Sequence, residues 1–116
     1  MLLVYVMLAP GRLLLDPMSV FVVTLRLPEA FGEELRAVIP RHRAFINKLL
    51  AEHIIESYAI SADRSRGWVT MYGDDEHAVR AVVAQFPIFD FLRGIEVDEL
   101  FIWDSAADRF PRISLN

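Results

Sequence analysis

Among the residues whose chemistry could go beyond packing, His42 stands first. At about 100° per residue it projects near the centre of a stripe made by Leu35, Val38, Ile39, Phe45, Ile46 and Leu49. An imidazole placed there must find a hydrogen-bond partner, and its charge is moved easily across neutrality. Two roles fit. One is a satisfied core histidine, or one bordering a subunit interface; the other is a general acid/base facing a cleft between a helix and a sheet.

The remaining polar candidates read more simply. His53 falls at a helix end, where a cation suits the dipole, and His77 falls on a polar flank of a first turn. Neither forms an HxH or HExxH pair with another histidine, so no metal site is expected. Glu96 and Asp98 share one face of a strand, as a solvated edge or as a carboxylate pair at a pocket mouth. Tyr58, Trp68 and Tyr72 come from a central hairpin, where aromatic side chains serve packing or wall a small-molecule pocket. The chain has no G-x-G-x-x-G, P-loop or G-x-S-x-G motif, which argues against nucleotide cofactors and serine-triad hydrolysis.

These residues must be held by a small protein. A chain of 116 residues makes one domain the expectation. Apolar residues are 54% of it and the mean hydropathy is +0.33, more than so small a core can hide. Part of that surface is therefore expected to meet a second copy of the chain, giving a homodimer or higher homo-oligomer. A net charge of −4 without a basic stripe argues against nucleic acid. With no cysteine there is no disulfide framework, thiolate site or cysteine nucleophile, and the expected compartment is the cytoplasm.

The apolar N-terminus is too short in its unbroken run for the roughly 20 residues of a spanning helix, so no membrane role is expected. Residues 1–17, broken by Pro10-Gly11 and Asp16-Pro17, read as an appendage, a start-site extension ahead of Met18. The alternative is an N-terminal strand pairing with a neighbouring subunit. Residues 18–105 form the expected domain and 106–116 a polar tail.

Within the domain, "SVFVVTLRL" (19–27) reads as a strand ended by Pro28. Residues 29–53 carry helical period, with Pro40 as a kink or as the start of a second piece. "IIESYAIS" (54–61) and "GWVTMYG" (67–73) make a hairpin around "ADRSR". Asp74 or Asp75 caps a second helix stopped by Pro87, and "GIEVDELFIW" (94–103) is the last strand. The order βαββαβ predicts an α+β ferredoxin-like plait, an antiparallel sheet with two helices on one face. Apolar residues on both sheet faces predict a second sheet as cover, as in a dimeric α/β barrel.

"QFPIFDFLRGIEVDEL" (85–100) resembles the muconolactone delta-isomerase family at Phe86-Pro87-Ile88-Phe89, Phe91 and Ile95-Glu96-Val97. "FVVTLRLPEAF", "FINKLLAEH" and Trp68 after Gly67 extend the resemblance over Met18 to Trp103. It implies homo-oligomers and cofactor-free proton transfer that shifts a double bond in a small unsaturated lactone or related organic acid. On that reading His42 is the catalytic residue, with Tyr58, Trp68 and Phe89 lining the substrate pocket. The isomerases are acidic where this chain has "PRHRAF" (40–45). The related YCII-like proteins are similar in placing a histidine at the position of His42, usually with an aspartate near the end of the second helix. Here Gln85-Phe86-Pro87 stands at that place, so His42 needs a different partner.

Overall fold

The chain is described by a computed structural model at residues 7–9, 12–13 and 18–106. Met7–Ala9 (β1) and Arg12–Leu13 (β2) pair antiparallel in a ribbon of their own. The rest of residues 1–17, and residues 107–116, lie outside the described residues, and with them most of what was expected of the appendage and the tail. The domain itself runs β3 (Ser19–Arg26), α1 (Glu33–Ala51), β4 (Ile55–Ile60), β5 (Arg66–Gly73), α2 (Glu76–Val83), a 3-10 turn at Phe89–Phe91 and β6 (Gly94–Glu99). The four longer strands form one antiparallel sheet in the order β4-β5-β3-β6. This is the ferredoxin-like plait.

Strand alternation decides where the core lies. Phe21, Val23 and Leu25 of β3 and Val69 and Met71 of β5 are buried on one sheet face, where they meet Leu35, Ile46 and Leu49 of α1 and Val79 and Val83 of α2. The other face carries half-buried Val20, Val22, Trp68 and Tyr72. Trp103 crosses back to stack edge-on against Tyr72, with ring centroids 6.1 Å apart.

Several boundaries differ from expectation. The first helix starts at Glu33 and runs unbroken through Pro40 to Ala51. Pro40 and Arg36, whose carbonyl loses its partner, both lie on the exposed side, where that carbonyl is open to solvent. The last strand ends at Glu99, not Trp103, because β3 begins beside it; the final backbone bond runs from Leu100 N–H to the Val20 carbonyl at 2.8 Å. Beyond it Phe101 is 97% exposed and Ile102 71%.

Helix ends follow local chemistry. Asp75 is the N-cap of α2, its carboxylate accepting from Ala78 N–H at 2.8 Å. At the end of α1, His53 adopts φ 59° while its N–H donates to Leu50 O and that of Ile54 to Leu49 O, a Schellman closure without the usual glycine. No helix among the described residues is long and apolar enough to cross a membrane.

Candidate functional site

The helical spacing that put His42 on the apolar stripe is realised, since its side chain is 1% exposed between α1 and the sheet. Its Nε2 lies 2.7 Å from the Tyr58 hydroxyl. Tyr58 comes from β4, and a bulge in that strand aims it there. Ile55 stands opposite Met71, but Ser57 stands opposite Thr70 and Tyr58 opposite Val69, so Glu56 is an extra residue. Without it Tyr58 would face Trp68, on the far side of the sheet, because a one-residue slip exchanges the faces. The Tyr72 hydroxyl donates to Glu56 Oε1 at 2.9 Å and so ties the bulge to β5.

Phe86 completes the enclosure of the imidazole. Its ring meets His42 edge-on at 5.6 Å and Phe45 at 6.1 Å. An apolar ring thus stands where the YCII-like pattern has an aspartate, just after α2. Nδ1 is consequently buried without a hydrogen-bond partner among the described residues. Either neutral tautomer leaves one ring position unpaired: a bare acceptor if Nε2–H donates to Tyr58, an orphan N–H if Tyr58 donates to Nε2.

Burial, with a smaller push from the neighbouring Arg43 charge, lowers the His42 pKa to about 4. Burial also raises the Tyr58 phenol to about 12, against the opposing pull of Arg43. At neutral pH the pair is therefore an uncharged imidazole and an uncharged phenol.

The pair forms part of the wall of a cavity of about 180 Å³ enclosed by α1, the turn after β3 and the segment after α2. Leu35, Ile39, Ile60, Ile88 and Phe91 supply apolar lining, and Arg43 contributes the one charged side chain among the described residues there. Arg43 is exposed and makes no ion pair with a described residue. Gly67 makes room for the wall, since a Cβ there would come within 2.8 Å of Ile60 Cδ1. An apolar cavity of roughly 150 Å³ accepts benzene, so this one suits a single small ring.

Two expected pocket residues lie elsewhere. Trp68 points from β5 to the opposite sheet face, where the Arg66 guanidinium sits 5.6 Å from its ring centroid. Phe89 lines a separate depression with Arg80, Ala84 and Ile95. The same "PIFDF" segment sends Ile88 and Phe91 into the His42 cavity instead, because its 3-10 turn sets its own face. Glu96 bonds Arg26 at 2.6 Å on the open sheet face, and His53 and His77 are exposed. Sequence reasoning missed Arg43, Ile39 and Ile60. Arg43 follows His42 directly, and that adjacency was the signal available. The described residues contain no cluster of three metal-ligating side chains.

No protein-family model matches the chain, and no curated protein matches its sequence.

Proposed function

We propose that the protein is a muconolactone-isomerase-like, cofactor-free proton-transfer isomerase acting on a small unsaturated lactone or related organic acid in the cytoplasm. The observation that carries this reading is the 2.7 Å contact between His42 Nε2 and Tyr58 Oη at the wall of an apolar cavity sized for one ring. In the proposed reaction Tyr58 Oη takes a proton from the carbon beside the substrate carbonyl as its own proton passes to His42 Nε2. The reverse relay returns a proton to the far carbon of the conjugated system. Atoms and charges balance without a cofactor.

Magnitude limits the step. Charging an imidazole of pKa about 4 at pH 7 costs about 4 kcal/mol. Catalysis therefore depends on stabilising the enolate that forms opposite it, and Arg43 at the cavity wall is the group of the right sign. A second reading, a non-catalytic oligomeric binding domain with the same fold, is favoured by one specific observation: no carboxylate among the described residues lines the cavity. Both readings include self-association through the open sheet face, where Val20, Val22, Trp68 and Tyr72 are only half-buried in one chain.

The distinguishing experiment follows ultraviolet absorbance of unsaturated lactones for double-bond migration. Isomerisation that falls at least tenfold in both Tyr58→Phe and His42→Asn supports the enzyme. Ligand binding with no turnover in the native protein supports the binding domain. Turnover unchanged in both variants removes the pair from the chemistry. Light scattering reads the assembly, for which a stable monomer at micromolar concentration is the contrary result.

A further inference from the structure

We propose that a cleft at the end of the sheet, independent of the His42 cavity, binds a small polyanion such as a diphosphate or a tricarboxylate. Register brings the charges together. Arg26 of β3 stands directly opposite Arg66 of β5. On the other side of β3, Arg93 donates its backbone N–H to Arg26 O at 2.8 Å, just before β6 begins. Arg26 and Arg66 thus stand side by side on paired strands about 5 Å apart, and Arg93 lies one residue before Gly94, the residue that faces Arg26 on β6. Arg64, at the tip of the β4–β5 hairpin, is a fourth on the same cleft, whose volume is about 540 Å³.

Like charges directly opposite on paired strands oppose the pairing, and internal neutralisation here is incomplete. Arg26 bonds Glu96, with both side chains half-exposed. Arg66 lies over Trp68, and Arg64 and Arg93 make no ion pair with a described residue. Of the two carboxylates lining the cleft, Asp63 already accepts from Ser61 Oγ, Ser65 Oγ and Ser65 N–H. Counting Glu96 on Arg26, three carboxylates stand against four guanidiniums, which are a third of the 12 basic residues in a chain of net charge −4, so the cleft keeps a positive excess. Guanidinium forks match phosphate and carboxylate oxygens bidentately, so a compact multivalent anion satisfies several at once. Leu27 and Pro28 border both this cleft and the His42 cavity.

Trp68, stacked under Arg66, is the natural reporter. In the full chain carrying Trp103→Phe, fluorescence is followed during titration with pyrophosphate, with citrate, and with sodium chloride at matched ionic strength. The expected result is a saturable change with one or both polyanions, half-complete below about 10 mM, and none with chloride. Pyrophosphate tighter than citrate by tenfold or more assigns a phosphate ligand; the reverse assigns a polycarboxylate. The pair Arg26→Gln and Arg66→Gln should weaken binding at least tenfold, whereas Arg36→Gln on the exposed face of α1 should not. Should circular dichroism show the pair unfolded, Arg93→Gln alone serves, with a weakening of threefold or more expected. A response to polyanions no different from chloride, or an affinity unchanged in the folded variants, overturns the proposal.

Discussion

Replacing His42 with leucine should cost the fold little or stabilise it, although the residue is fully buried. His42 contributes one hydrogen bond, to Tyr58, worth about 0.5–1.5 kcal/mol net. It also buries an unpaired Nδ1, a penalty of about 1–3 kcal/mol. Leucine is of similar bulk and needs no partner, so His42→Leu should fall between a loss of about 1 kcal/mol and a gain of about 2 kcal/mol. Tyr58→Phe alone leaves both ring nitrogens unpaired and should lose about 1–3 kcal/mol. Once His42 is leucine the same change should lose less than about 1 kcal/mol, because the half-buried hydroxyl then has only water to release. Urea unfolding of the four proteins, with constant slope, measures the cycle. A loss above about 3 kcal/mol for His42→Leu would refute the reasoning by showing the imidazole better satisfied than its surroundings indicate, and strictly additive costs would refute it by showing no coupling between His42 and Tyr58. A destabilising buried histidine beside a cavity is the pattern expected of a residue kept for function.

The pH dependence of stability follows with its sign. The folded state holds His42 at about 4 against 6.5 in the open chain, so the contribution is complete above pH 6.5 and is lost as pH falls toward 4. The loss is about 3 kcal/mol, and it should vanish in His42→Leu; an unchanged pH profile in that variant would contradict the assignment. Tyr58 adds a second decline as pH rises from 10 toward 12. His53→Gly should raise stability by about 1 kcal/mol, because φ 59° is strained for histidine and free for glycine. Equal or lower stability in thermal unfolding would count against that closure of α1.

The βαββαβ order was legible because two periods, 2 and 3.6, alternate cleanly along the chain and Pro28 and Pro87 punctuate them. The burial of His42 was legible for the same reason. Its partner was not, since Tyr58 reaches it only through the extra residue Glu56, and a bulge is set by pairing with β5 rather than by local composition. Trp68 and Tyr58 both read as aromatic strand residues, and only the register places them on opposite faces. Phe89 and Phe91 are likewise alike in sequence but are separated by the 3-10 turn. The continuity of α1 through Pro40 depended on the lost bond lying toward solvent, a fact of packing rather than propensity.

The central claim is an uncharged His42, bonded to Tyr58, in the wall of a ligand cavity. Nitrogen-detected nuclear magnetic resonance of the imidazole during a pH titration, with and without a small unsaturated lactone, tests it most directly. The account predicts a neutral ring down to pH 5 and a shift of the Nε2 resonance on adding the lactone. A ring that titrates near 6.5 and ignores the lactone would contradict it.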